Sequence, residues 1–205
     1  MPLVYQQNIN EVTRIGVWHI AEPEDFFLQS VSLQRSITHW HKRLQHLAGR
    51  LLLQELYPDF PVALIQVADT RKPFLANEPF HFSISHCGDY AAAIVSREYR
   101  VGVDVELDTG KAARLMQKFL DDEEMFLLPR GAISETATLF WSVKETIFKW
   151  YSLGGIDFRA DMQICAVEGD REQGVVHCSF RQREPLAVHY IHFNNNYLTW
   201  VLTSV

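Results

Sequence analysis

A chain of 205 residues that is 47% hydrophobic and 12% aromatic can bury a core, as one domain or two small ones, and is not a disordered composition. Its formal net charge of −6, from 19 basic and 25 acidic side chains, offers no bulk attraction to nucleic acid, though it is compatible with a local basic patch. Three widely spaced cysteines, Cys87, Cys165 and Cys178, show neither zinc spacing nor the even count of a disulfide framework, so reduced thiols in a cytoplasmic protein are expected.

In chain order, Met1-Pro2-Leu3-Val4-Tyr5-Gln6-Gln7 lacks the basic stretch and apolar run of a secretory signal, and no later apolar run is long enough for a bilayer. A short strand is predicted at Arg14–Ile20 and a short helix at Glu24–Gln29. A long helix is predicted from about Ser36 to Tyr57, because Trp40, Leu44, Leu47 and Leu51 recur on one face and Pro58 stops it. Strand-like runs follow at Ala63–Ala68, His81–Ser85, Tyr90–Ser96 and Val101–Leu107, with turns at Gly88-Asp89 and Arg97-Glu98. Helical patterns return at Lys111–Phe119 and Asp121–Leu128, break at Pro129-Arg130-Gly131, and resume over Ser134–Tyr151, with Gly154-Gly155 beyond it for a chain reversal. Strands are predicted at Gln163–Val167, Val175–Arg181, Leu186–Phe193 and Tyr197–Ser204. The fold class expected is α+β, in two halves (1–100 and 101–205), each a long helix followed by mainly antiparallel strands. No Pro/Gly/Ser-rich linker divides the halves, so they are expected to pack as one unit.

Two segments carry the chemistry. In Val101-Gly102-Val103-Asp104-Val105-Glu106 the two acids stand two apart on a strand and so share a face. Alone, this is most simply a solvated strand end before Asp108-Thr109-Gly110. In Trp141-Ser142-Val143-Lys144-Glu145-Thr146-Ile147-Phe148-Lys149, residues Trp141, Glu145 and Lys149 form one helical stripe, with Val143, Ile147 and Trp150 on an apolar one. An exposed Glu–Lys pair of this kind is common and contributes roughly 0.2–0.5 kcal/mol; Trp141 on the same stripe implies partial burial instead. Asp104, Glu106 and Glu145 together would suit magnesium, which prefers oxygen ligands and shares its sphere with substrate phosphates. Lys149 would face a phosphate as a point charge. Phe82-Ser83-Ile84-Ser85-His86-Cys87-Gly88 delivers a hydroxyl and an imidazole to a glycine turn, a phosphate cradle or merely a hydrogen-bonded turn. Lys42, Arg43, His46 and Arg50 on the long helix, with Arg35 upstream, form a basic patch that is for most of them most simply a solvated helix face; Arg50, deepest among the leucines, is the best functional candidate.

Taken together, Lys72-Pro73, Phe82 through His86, Val101 through Glu106, Phe119 with Glu123, and Trp141 through Lys149 resemble the surfactin-type 4'-phosphopantetheinyl transferases in order and spacing. The family's usual glycine, asparagine and serine are replaced by Arg71, Ser83 and Cys87, all on the nucleotide side of the pocket. The resemblance implies two α+β halves related by a pseudo-twofold axis, with the active site in the cleft between them. It implies transfer of the phosphopantetheine arm of coenzyme A to a serine of an acyl or peptidyl carrier protein, with release of 3',5'-ADP. Carried over, Asp104, Glu106 and Glu145 bind Mg²⁺, and Lys149 contacts the pyrophosphate. Asp104, Glu145 and Lys149 form the catalytic set. Glu145 is the base for the serine proton, directly or through a water it holds. Ser85 and His86 hold the 3'-phosphate, Lys72 and Pro73 lie near the adenine, and Arg50 belongs to the coenzyme A site. The resemblance makes a monomer the expected state. Lys111, Arg114 and Lys118 would meet the carrier. Two other readings stay open on the residues alone: a Mg²⁺-dependent phosphohydrolase acting on coenzyme A or a nucleotide, and a non-catalytic coenzyme A-binding protein.

Overall fold

The computed structural model describes residues 2–33, 36–70 and 72–205. Arg35, upstream of the basic patch, and Arg71 before Lys72-Pro73 lie outside the described residues. Two units emerge, one comprising Met1–Val101 with Leu202–Val205 and the other Gly102–Val201. Both are α+β, a long helix against an antiparallel sheet.

In the first unit, β1 (Leu3–Asn10) and β2 (Thr13–His19) pair as a hairpin, followed by α1 (Glu24–Leu28), α2 (Trp40–Leu56), the two-residue strands β3 (Gln66–Val67) and β4 (Pro73–Phe74), then β5 (His81–Cys87) and β6 (Tyr90–Ser96). The sheet order is β1-β2-β6-β5. β1 has no counterpart in the sequence reading, because Gln6, Gln7, Asn8 and Asn10 hide its alternation; as the edge strand it leaves much of its surface exposed. α2 begins at Trp40 rather than Ser36, and Trp40 is 66% exposed although it shares the helical phase of Leu47 and Leu51. Burial starts at Gln45, and Leu47, Ala48, Leu51, Leu52 and Leu56 pack with Trp18, Ala91 and Ala93. Of the strand expected at Ala63–Ala68, Ala63 and Leu64 lie in a 3-10 turn over Val62–Leu64, and only Gln66 and Val67 pair as a strand, with Phe74 and Pro73.

The second unit starts within β7 (Tyr99–Leu107) and continues through α3 (Lys111–Leu115), α4 (Asp122–Phe126), α5 (Ile133–Tyr151), β8 (Met162–Gly169), β9 (Gln173–Phe180), β10 (Glu184–Phe193) and β11 (Asn196–Ser204). The sheet order is β7-β11-β10-β9-β8. The helix predicted over Lys111–Phe119 tightens to 3-10 geometry at Met116–Lys118. α5 ends with Ser152 in the left-handed region, and Gly154 and Gly155, both at positive φ, turn the chain as expected. Asn194 and Asn195, both at positive φ, form the two-residue β10–β11 loop, the conformation such tight hairpins require. Phe140, Val143, Ile147 and Trp150 of α5 pack with Val176, Val188, Tyr197 and Val201 of the sheet. Among the described residues, no helix is long and apolar enough to cross a membrane.

Candidate active site

The second unit's site is set by how closely β7 lies on α5. Gly102 makes that approach possible: a Cβ there would meet the Thr146 carbonyl oxygen at 2.3 Å and Trp150 Cβ at 2.8 Å. Side chains alternate along a strand, so Gly102, Asp104 and Glu106 share the face toward α5. Asp104 is 3% exposed. Lys149 Nζ donates to Asp104 Oδ1 at 2.5 Å, and Ser142 Oγ donates to Asp104 Oδ2 at 2.8 Å. Glu145, one turn before Lys149, is half-buried. Its carboxyl is pushed up to about 7, chiefly by burial, then by the charge of Asp104; Lys149 opposes this and Glu106 adds to it. Asp104, Glu106, Glu145 and Lys149 therefore act within one another's fields.

Among the described residues, no three acidic, histidine or cysteine groups already stand as a closed cation cage. The donor chemistry nevertheless fits a small hard cation. The ammonium of Lys149 pairs with Asp104, and the charges of Asp104 and Glu106 add to the elevation that burial chiefly gives Glu145, a repulsion that an added positive charge would relieve.

Three features were not visible in the sequence. The first is a set of buried hydroxyls beneath Asp104: Ser142 Oγ lies 2.9 Å from Thr199 Oγ1, which lies 2.6 Å from Thr146 Oγ1. Ser142, Thr146 and Thr199 are fully buried. A threonine in a strand and a serine in a helix give no sequence signal of such a link. The second is Lys144, fully buried against Glu124, with Nζ–Oε1 at 2.6 Å. Nζ also donates to the carbonyl oxygens of Phe119, Phe158 and Met162. Burial pulls the Lys144 pKa down and Glu124 opposes the shift. Glu123, singled out beside Phe119, is exposed and bonds Gln163; the interior acid is its neighbour. The capping box between Asp121 and Glu124 was the available clue, since it fixes Glu124 at the third helical position. The third is Asp108, whose Oδ1 accepts from Ser134 Oγ at 2.8 Å and Thr138 Oγ1 at 3.1 Å, fastening the end of β7 to the start of α5. Trp141 is half-buried between the rings of Phe119 and Phe158, at centroid distances of 5.1 and 5.5 Å.

The remaining candidates belong to the first unit. Ser85 and His86 are consecutive on β5, so they face opposite ways; Ser85 is buried and His86 exposed. Gly88, at φ +52°, opens the turn to β6, and its carbonyl accepts from Gln45 Nε2 of α2 at 2.8 Å. Arg50 and His46 are both buried, rather than on a solvated face, and Arg50 Nη1 lies 3.1 Å from His46 Nδ1. Lys42 is exposed, and Arg43 pairs with Glu24. Pro73 lies in β4. Lys72 is shifted down to about 8 by burial and by the Arg100 charge, against the pull of Glu78. His81 is lowered by burial, with Arg100 and Lys72 adding and Glu78 opposing. Arg100 and His81 are thus neighbours of Lys72 that the motif did not name.

A family model described as the 4'-phosphopantetheinyl transferase superfamily matches residues 100–202, the stretch that carries β7, α5 and the acid–lysine cluster. The chain belongs to this superfamily. It is similar to enterobactin synthase component D of Escherichia coli O157:H7, 30% identical over 154 residues, covering 73% of this chain and 71% of that protein. The protein of the same name from Salmonella typhi is 32% identical over 116 residues, 54% of this chain and 49% of the relative. The chain thus spans about half the length of the Salmonella relatives it matches, 49% and 48% in two of them. Arg50, Lys72, Pro73, Ser85 and His86 precede the family match.

Proposed function

We propose that this superfamily member, of the surfactin type, transfers the 4'-phosphopantetheine arm of coenzyme A to a serine of an apo acyl or peptidyl carrier protein and releases 3',5'-ADP. The observation that carries the reading is the meeting of Asp104, Glu145 and Lys149 on one strand–helix contact, with Glu106 in the same field. Asp104, Glu106 and Glu145 would hold Mg²⁺. When bound, the cation supplies positive charge to the diphosphate oxygens of coenzyme A. Lys149 stabilises the charge that builds on the departing nucleotide phosphate as the phosphoryl bond breaks. Glu145 takes the proton of the carrier serine, directly or through a water it holds. A carboxyl pushed up to about 7 is a competent base near neutral pH, and the cation's charge draws it down.

Ser85 and His86 would bind the 3'-phosphate, Lys72 and Pro73 the adenine end, and Arg50 the same nucleotide side. The carrier would dock on α3 and the 3-10 turn after it, where Lys111, Arg114 and Lys118 are exposed around Leu115. The relatives' name, component D of a synthase, favours a synthase carrier as acceptor. The working form is a monomer in the cytoplasm.

The deciding experiment is intact-mass analysis of several apo carriers mixed with this protein, coenzyme A and Mg²⁺. A carrier that gains one phosphopantetheine supports the proposal. Consumption of coenzyme A without a mass gain on any carrier points to hydrolysis, and binding without consumption to a non-catalytic role; either overturns it.

A further inference from the structure

The hydroxyls beneath Asp104 form a contiguous chain. Lys149 donates to Asp104 Oδ1 and Ser142 to Oδ2. With the one hydroxyl proton of Ser142 committed to Asp104, the 2.9 Å contact between Ser142 Oγ and Thr199 Oγ1 can carry only the threonine's proton. Thr199 shares that proton with a backbone carbonyl oxygen, as does Thr146, so the 2.6 Å contact between the two threonines has no fixed direction. Ser142 is the hydroxyl that reaches Asp104, and Thr199 and Thr146 hold it from behind.

Each hydroxyl is anchored by its element. Thr146 and Ser142 are one turn apart on α5, and Thr199 comes from β11, which neighbours β7 in the sheet. Thr199 Oγ1 also lies 3.1 Å from the Ser142 carbonyl oxygen, and Thr146 Oγ1 lies 3.2 Å from the Thr199 carbonyl oxygen. The link is fully buried, so water does not compete for it.

We infer that Ser142 and Thr199 are positioning residues for the cation site: their hydroxyl chain pins Asp104 Oδ2 and thereby fixes Oδ1 toward the cation and Lys149. The inference rests on the reading of Asp104 as a Mg²⁺ ligand. Groups that orient a metal's ligands typically change metal affinity by about 10–100-fold when removed. Both side chains are fully buried, away from any surface that could meet coenzyme A, so its binding without metal is expected to stay unchanged.

The test measures Mg²⁺ affinity by titration calorimetry on the intact protein with coenzyme A present, and checks it with Mn²⁺ by electron paramagnetic resonance. Thr199→Val keeps the shape of the side chain and removes the hydroxyl; Ser142→Ala removes the terminal donor. Both are expected to weaken Mg²⁺ binding about tenfold, with metal-free coenzyme A affinity equal to that of the unmodified protein. Thr199→Ser, which restores the hydroxyl, is expected to bind Mg²⁺ normally. If folded Thr199→Val and Ser142→Ala bind Mg²⁺ as tightly as the unmodified protein, the inference is overturned. If Thr199→Val does not fold, Ser142→Ala decides alone, since it leaves the Thr146–Thr199 contact in place. Absence of Mg²⁺ binding by the unmodified protein would sink the cation reading itself, and the positioning role with it. Normal binding by the unmodified protein that is insensitive to both variants would sink only the positioning role.

Discussion

Glu145 carries two opposed demands in one side chain. Burial and the Asp104 charge hold its carboxyl at about 7, well above the ordinary 4.5. Between those two values the folded chain retains a proton that the unfolded chain has released, so stability falls as pH rises through this window and the full penalty is present above it. Glu145→Gln removes the penalty. In cation-free buffer it is expected to be more stable than the unmodified protein at pH 8, by up to about 3 kcal/mol, and equal to it at pH 4. Urea denaturation at the two pH values checks this, and equal stability at pH 8 would contradict the raised carboxyl of Glu145. Lys144 poses the reverse case, a charge whose partners are complete. Lys144→Met would strand Glu124 inside the protein, leaving it, among the described residues, the backbone amides of Asp121 and Ile164 as donors. The expected loss is about 3–5 kcal/mol, with part recovered when Glu124→Gln is added; denaturation midpoints of the single and double variants measure it. From the sequence, Glu145 and Lys149 stood out because their spacing is that of a helical stripe. Lys144 did not, because a lysine within a helix reads as a surface residue until its surroundings are known.

Among the elements, the contact of β7 with α5 decides the site, and it is a backbone contact rather than a side-chain one. Gly102→Ala would drive a methyl group into the Thr146 carbonyl, which cannot yield as a flexible side chain would. β7 must then move away from α5, stretching the bonds from Asp104 to Ser142 and Lys149. The expected result is a loss of about 1–3 kcal/mol together with weaker Mg²⁺ binding, read by thermal unfolding and calorimetry. Unchanged affinity would mean that the strand–helix spacing does not govern the acids. Much at this level was legible. β2, β5, β6, β7, α5 and the final three strands follow from apolar alternation, helical spacing and turn residues at their ends. β1 was not, since Gln and Asn at an edge strand conceal the period that burial would have imposed. The start of α2 was misplaced because helical phase alone cannot say where the neutral stretch before Trp40 stops being extended. Nor could the strand expected after Pro61 be told from a tight turn, as both suit Val, Ala and Leu in so short a run.

For the molecule as a whole, the proposed docking of an acidic carrier on a chain of formal charge −6 would need a local positive face. Exchanging Lys111, Arg114 and Lys118 for glutamate is expected to raise the KM for the carrier roughly tenfold, mostly through slower association that salt masks, while leaving the KM for coenzyme A unchanged. Steady-state kinetics with each substrate varied in turn separates the two; equal losses would remove the face from consideration. The path of the chain through the second sheet carries a different consequence. β7 is the first strand of that sheet to be made and β11 the last, yet β11 is the neighbour of β7 and lies between it and β10. Until residues 196–204 have left the ribosome, a nascent chain presents β7 without its β11 neighbour and Ser142, the donor to Asp104, without its Thr199 contact. The chemistry-bearing strand therefore waits on the final one, and pairing across so long a stretch of sequence is intrinsically slow. In a cell this interval is when the protein is most exposed to mispairing and to chaperone capture, and activity should appear in one step, with insertion of the closing strand.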